Sequence, residues 1–239
     1  MTALVTYVLA DGVATITMDD GKANAVTAQL LTELNAALDK AEADKAAILL
    51  TGREGKFSGG FDLKVLMAGG QPAFDLLMAG FRTADRILKL KTPVVVAVNG
   101  HALAMGVFLA AASDYVVAAD GAYKIGANEV AIGLTMPRSV LEICRNRLTP
   151  NYFNRAMITA EIFTPEGALA AGFVDKVVPE DDLMAEARAV AHRFAMLNRP
   201  AYAATKHRVR EPVFKAVQAG LEVDEKQIGL MMRGGAPAT

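Results

Sequence analysis

The chain has one cysteine, three histidines, no tryptophan and only 6% aromatic residues in 239 positions. The lone cysteine, Cys144, excludes an internal disulfide and any cysteine-built metal cluster. It sits in the helical pattern "SVLEICRNRL" and reads as a small core residue. His101, His192 and His207 lie far apart and match no metal-ligand spacing. Excess charge of either sign is missing too: 25 basic against 26 acidic residues give a net charge of -1. Nothing therefore points to nucleic acid or another polyanion as partner. The longest nearly apolar run, Ala102 to Ala112, falls well short of the roughly 20 residues that span a bilayer. The opening "MTALVTYVLADGVATITMDD" lacks the basic start, apolar stretch and cleavage site of a signal peptide. The expectation is a cytoplasmic protein with no membrane partner. Phosphate cradles of the Gly-x-Gly-x-x-Gly and Gly-x-x-x-x-Gly-Lys-Ser/Thr kinds are absent, and Ser58 has no Gly-x-Ser-x-Gly context.

What is present is a core. Hydrophobic residues make up 53% of the chain and charged residues 21%, the balance of a folded globular protein. Residues 3–8 and 13–18 are rich in Val, Ile and Thr and flank "ADG", which predicts a hairpin or adjacent strands. From Thr27 onward Leu30, Leu31, Leu34, Leu38 and Ala41 recur at helical spacing. "AAILL" (46–50) and "VVVAV" (94–98) read as buried strands. "TGREGKFSGG" reads as a loop, and "FDLKVLM", 73–90 and "AMGVFLAAA" as helices. "DYVVAA" and "FVDKVV" (173–178) read as strands, "AYKIG" begins another, and the rest beyond Pro137 is mostly helical. Strand, loop and helix repeat without a linker-like shift in composition. One α/β domain over 1–239 follows, its core spanning about 1–190 and a helical region about 191–239.

Two loops follow buried strands, contain glycine and lead into helices: "FSGGFDLK" and "HALAMGVFL". A helix start offers unpaired N–H groups and a positive dipole end. If the N–H groups of Phe61 and Met105 converge on one carbonyl oxygen, they form an oxyanion hole. Spacing alone favours two ordinary tight strand-to-helix turns. Glu129, between "GAN" and "VAIGL", has apolar neighbours and only Lys124 as a basic residue nearby. Desolvation there raises a carboxyl pKa and makes a stronger base, whereas a surface glutamate at a helix start is the plain alternative. His101, beside Asn99-Gly100, reads as a solvated turn residue.

The stretches "GKFSGGFDLK", "PVVVAVNGHALAMGVFLAAASDYVVAA", "IGANEVAIGL" and "TPEGALAAGFVDKVVPEDDL" together resemble the crotonase (enoyl-CoA hydratase/isomerase) superfamily. The resemblance runs in order from about residue 5 to residue 190. It implies a crotonase-like spiral of repeated ββα units with a helical C-terminal region, assembled as a homotrimer or a dimer of trimers. It also implies acyl-CoA thioester substrates, with coenzyme A as part of the substrate and no separate cofactor or metal. The same likeness puts the oxyanion donors on the N–H groups of Phe61 and Met105, and a backbone lining for the adenine and pantetheine at 22–26, including Lys22, Ala23 and Ala25. Ser58, Gly59, Gly60, Asp62, Leu63 and Lys64 of the first turn, with Phe108 and Asn128, join them as the expected substrate- and CoA-binding residues. There Lys64 is placed to meet a CoA phosphate, a solvated helix lysine being the alternative. Gly59-Gly60 stands where Ala-Gly is usual. Met105 replaces a usual glycine, so its side chain must turn away from the thioester.

Hydratases of this superfamily carry two glutamates; here the first position is Phe108 and only Glu129 remains. Asn128-Glu129 looks like the Δ3,Δ2-enoyl-CoA isomerase branch, where Asn-Glu replaces the Pro-Glu common in hydratases. The expected activity is movement of a 3-enoyl double bond to the 2-position in fatty acid β-oxidation, with Glu129 as proton shuttle and Phe108 closing the water site. Enoyl-CoA hydratase is the alternative, as is a catalytically weak acyl-CoA-binding homologue. Dehalogenases, thioester hydrolases and decarboxylases share the same frame.

Overall fold

The computed structural model describes residues 2–232. The chain opens with a hairpin, β1 (Val5–Ala10) and β2 (Val13–Met18), turned at Asp11-Gly12 and paired antiparallel. Then come β3 (Ala25–Val26), α1 (Ala28–Ala43) and β4 (Ala47–Thr51). Thr27 caps α1 by accepting the Leu30 N–H at 3.1 Å. The next stretch holds β5 (Gly55–Ser58), β6 (Gly60–Phe61), α2 (Leu63–Ala68) and α3 (Gly70–Lys89). It is followed by β7 (Val94–Val98), β8 (Gly100–Leu103), α4 (Met105–Ala111), β9 (Tyr115–Ala119) and β10 (Ile125–Gly126). The remainder is α5 (Arg138–Arg147), α6 (Pro150–Ile158), α7 (Pro165–Ala171), β11 (Lys176–Val178), α8 (Leu183–Ala195) and α9 (Arg199–Met232). The expected start of the helical region, about residue 191, falls inside α8, and residues 233–239 lie outside the described residues.

The main sheet runs β1-β2-β4-β7-β9-β11, parallel from β2 onward. A second parallel sheet has the order β10-β8-β5. The ββα repeat is visible in these two orders. β4, β7 and β9 are successive neighbours in the large sheet, and β5, β8 and β10, each reached from one of them, are successive neighbours in the small one. Strands β4 and β7 are buried on both faces, which is why they read as unbroken apolar runs rather than alternating ones. Ile48, Leu50, Val94, Val96 and Val98 face the main core with α1, α3 and α4. Leu49, Val95 and Ala97 face Leu183, Ala187, Val190 and Ala191 of α8.

Several elements differ from the sequence expectations. "TGREGKFSGG" is not a bare loop, since it contains β5 and the first residue of β6. The Asn99-Gly100 step is not followed by a turn but by β8, which puts His101 in a strand. There its Nδ1 accepts the Lys124 N–H at 3.0 Å. β10 is only two residues long and β11 begins at Lys176, because pairing is available only over those residues.

Candidate active site

A cavity of about 250 Å³ lies where β6, α2, α3, α4, the segment after β10 and α9 meet. Its polar end is formed by Gly59, Phe61, Ala104, Asn128 and Glu129. Thr135, Asp224 and Gln227 are further polar members of the lining, and the rest is largely aliphatic or aromatic, including Leu77, Phe81, Phe108, Met136 and Ile228.

The first turn is fixed by short strand pairing. Gly59 N–H donates to the Ala23 carbonyl at 2.9 Å, and Asp62 N–H to the Val26 carbonyl at 3.1 Å. In a parallel pair that register turns the intervening Phe61 N–H away from β3. The Ser58 hydroxyl, fully buried, donates to the Asn24 carbonyl at 2.7 Å and accepts the Gly60 N–H at 3.2 Å. Asp62 caps α2, accepting the Lys64 N–H at 2.9 Å.

The second turn is Ala104, which precedes α4 with φ 50° and ψ −126°. A residue with a Cβ is strained there, and such strain is held only by surrounding structure. Ala104 N–H donates to the Gly126 carbonyl at 3.1 Å, and the Ala104 carbonyl accepts from Val107 N–H at 3.0 Å. Met105, the first residue of α4, has an N–H that the helix itself cannot pair. The two turns touch: a Cβ built on Gly60 would lie 2.7 Å from the Ala104 Cβ and 3.5 Å from the Met105 nitrogen. The Phe61 and Met105 N–H groups thus belong to one small region beside the cavity. The Met105 side chain is fully buried and its sulfur packs toward Gly80 of α3, which turns it away from the polar end.

Glu129 is positioned by β10. Ile125 exchanges both backbone hydrogen bonds with Phe163, at 3.0 and 2.9 Å. Beyond it the chain makes a 3-10 turn, Val130–Ile132, with Gly133 left-handed. The turn closes back on Glu129, whose carbonyl accepts the Ile132 and Leu134 N–H groups at 3.1 and 2.9 Å. The side chain is buried, 8% exposed. Glu129 Oε2 and Asn128 Oδ1 are both buried and have no hydrogen-bond partner among the described residues. Burial pushes the Glu129 carboxyl up to about 7, against a smaller opposing pull from its own backbone N–H. Cys144, fully buried on α5, has its thiol pushed up by burial and further by the nearby Glu129 charge.

Phe108 is 1% exposed and lines the cavity rather than pointing away from it. Leu63 lines it too, at the mouth, 60% exposed. Lys22, Ala23, Ala25, Ser58, Gly60, Asp62 and Lys64 are not in the lining. They sit in and around the first turn, with Lys64 exposed on α2.

The apolar lining from α3 and α9 was not singled out in the sequence, and neither was one buried carboxylate of the cavity. Asp224 of α9 is 2% exposed, and it accepts the Arg138 N–H at 2.7 Å, the Ser139 N–H at 2.9 Å and the Ser139 hydroxyl at 2.6 Å. It caps α5, whose own preceding residue, Pro137, offers no side-chain cap. A second carboxylate therefore borders the cavity, but both its oxygens are committed to the helix start. Among the described residues no three His, Cys, Asp or Glu side chains converge as a metal-ligand set. None of the described helices is long and apolar enough to cross a membrane.

The family model for enoyl-CoA hydratase/isomerase matches residues 9–232. The chain belongs to that family. A carnitinyl-CoA dehydratase from Citrobacter koseri is 33% identical over 208 residues, 86% of this chain and 79% of that protein. Solved structures that this chain resembles include the Mtb enoyl-CoA isomerase, 45% identical with a TM-score of 0.91 over 95% of this chain and 100% of that one. An enoyl-CoA hydratase from Mycobacterium marinum is 43% identical, with a TM-score of 0.90 over 95% and 100% of the two chains. The human mitochondrial Δ3-Δ2-enoyl-CoA isomerase is 26% identical, with a TM-score of 0.85 over 97% of each chain. The crotonase fold expected from the sequence is the fold of these enoyl-CoA hydratase/isomerase relatives, which carry isomerase, hydratase and dehydratase names alike.

Proposed function

We propose that this family member is an enoyl-CoA isomerase that shifts a 3-enoyl double bond to the 2-position. The observation that carries the reading is that, among the described residues, Glu129 is the one carboxylate on the cavity with a free oxygen, in a lining where Phe108 stands at the position of a hydratase's other glutamate. In the proposed reaction, Glu129 removes a proton from C2 of the acyl thioester. The electrons of that C–H bond spread through the thioester carbonyl and the C3–C4 double bond. The resulting dienolate oxygen accepts from the Phe61 and Met105 N–H groups, which stabilise charge as it develops. Glu129 then returns the same proton to C4, leaving a C2–C3 double bond. Atoms and charge balance within a single substrate, so no second reagent enters. A carboxyl titrating near 7 suits both roles, since each protonation state is accessible at neutral pH.

Hydration is the second reading, and one observation favours it. The unpartnered Asn128 Oδ1 and Glu129 Oε2 are two buried acceptors on one cavity, an arrangement able to hold the two hydrogens of a water. The test compares two rates on the same preparation: conjugated-enoyl absorbance appearing from 3-hexenoyl-CoA, and its loss from crotonyl-CoA as water adds. Isomerisation much the faster supports the proposal. Hydration as fast as isomerisation overturns it in favour of the hydratase reading.

A further inference from the structure

We infer that α9 acts as the specificity wall of the acyl site, and that Ile228 makes the enzyme prefer straight acyl chains of about eight carbons over six. The inference rests on the acyl-CoA reading above. Asp224, Gln227, Ile228 and Met231 recur at helical spacing, so one stripe of α9 faces the cavity. The stripe runs from depth to surface, from Asp224 at 2% exposed to Met231 at 45%. Leu77 and Phe81 of α3 stand in the same lining. With the thioester oxygen at the Phe61 and Met105 N–H groups and CoA leaving past Gly59 and Ala23, the remaining room for a tail lies between α3, α9 and the segment 132–137.

That wall is held at two places. Asp114, between α4 and β9, contacts Lys206 at 2.9 Å, Arg210 at 3.0 Å and the Tyr202 hydroxyl at 2.7 Å, all on α9. Farther along, Asp224 binds the start of α5. A wall pinned by the half-buried Asp114 and the buried Asp224 discriminates by size instead of yielding. The cavity volume of about 250 Å³ sets the size: against an apolar cavity of about 150 Å³ that takes the six carbons of benzene, it holds roughly ten non-hydrogen atoms, the eight carbons of an octanoyl group with the thioester oxygen and sulfur. Ile132, Leu134 and Met231 are the exposed outer members of the lining, so carbons that pass them gain little further burial.

The test is calorimetric binding of hexanoyl-, octanoyl- and dodecanoyl-CoA, which reads the wall without requiring turnover. Each newly buried methylene contributes about fourfold in affinity. Octanoyl-CoA is therefore expected to bind up to about 16-fold tighter than hexanoyl-CoA, with dodecanoyl-CoA close to octanoyl-CoA. Ile228→Trp should bring the octanoyl-to-hexanoyl ratio to about one. Ile228→Ala, the gentler change, should lower it severalfold, and Lys226→Ala on the exposed face should leave it unchanged. A ratio unmoved by both Ile228 variants overturns the proposal. So does a change in self-association on gel filtration that weakens all three ligands equally, since that would assign Ile228 to a subunit contact. Failure of 3-hexenoyl-CoA to isomerise, with the binding ratio intact, would count against the isomerase reading alone.

Discussion

Replacing Glu129 by glutamine tests the catalytic reading and the electrostatics beneath it in one variant. The carboxyl is buried, and its value rises from the ordinary 4.5 to about 7. Because the folded-state value is the higher one, the native state holds this proton more tightly than the unfolded chain does. The protonated carboxyl is tolerated below about pH 4.5. As pH rises from there through about 7, the native state must carry a buried charge, and stability falls. The gap corresponds to about 3 kcal/mol of destabilisation above pH 7. A glutamine side chain at this position would be neutral throughout. The variant should therefore melt at nearly the same temperature as wild type at pH 5, and higher at pH 8. At about 2–4 °C per kcal/mol for a chain of this size, the upper bound is roughly 6–12 °C. Over the same range, wild-type kcat/KM for 3-hexenoyl-CoA should rise about tenfold from pH 6 to pH 8, following the ionised fraction of a base near 7. Glu129→Gln should lose about 10²- to 10⁴-fold in turnover while binding acyl-CoA nearly as before. Thermal melts at the two pH values and a pH–rate profile supply the data. A flat profile, or equal melting temperatures at pH 8, would refute a desolvated Glu129 acting as the base.

Gly60→Ala should reduce turnover by about 10²- to 10³-fold, the scale of losing one oxyanion donor, because φ is +92° and the new methyl group meets Ala104. Near-normal rates in a folded variant would mean that the Phe61 N–H is not used. Lys64→Ala should weaken CoA thioesters more than the matching pantetheine thioesters, by a salt-dependent margin. Equal weakening of both would make Lys64 a solvated helix residue. Phe108→Glu should introduce measurable hydration of crotonyl-CoA, by placing a second carboxylate on the cavity with Glu129. Folded Phe108→Glu protein without hydration would show that closure by the ring is not what separates the two activities.

What the sequence could disclose depended on how local each cause was. β4 and β7 were legible because strands covered on both faces need apolar residues at every position. α1 was legible from its leucine spacing and its Thr27 cap. β3, β6 and β10 are two residues each, too short to carry a period, and β8 lay hidden behind Asn99-Gly100, a step that usually announces a turn. Glu129 stood out because its neighbours along the chain are apolar. Asp224 did not: in "LEVDEKQ" it looks like any acidic residue on a solvated helix. Its role arises only when α9 folds back onto the start of α5. Asp114 is similar, since the Lys206 and Arg210 that face it belong to a distant helix. Long-range polar pairing leaves no trace in local pattern, and it is what fixes one whole wall of this cavity.

The positioning of the two turns proposed as oxyanion donors follows from steric complementarity more than from hydrogen bonding. Gly106 has no room for a Cβ, which would come within 2.7 Å of the Ser58 carbonyl oxygen and Cβ, so α4 sits directly on β5. Ser58 in turn ties Asn24 to the Gly60 N–H. The absent Cβ of Gly60 makes space for the one that Ala104 does have. The alanine, strained at φ 50°, thus occupies the volume that its neighbour's missing side chain leaves open. A flexible glycine at position 104 would relieve that strain, but it would also leave a gap between the turns. The strained alanine keeps them at contact distance, and a pair of N–H groups stabilises an oxyanion only if their spacing does not drift. On the proposed reading, the apolar, alanine-rich run from Ala102 to Ala112 is the means of bringing two backbones close enough to share one oxygen atom.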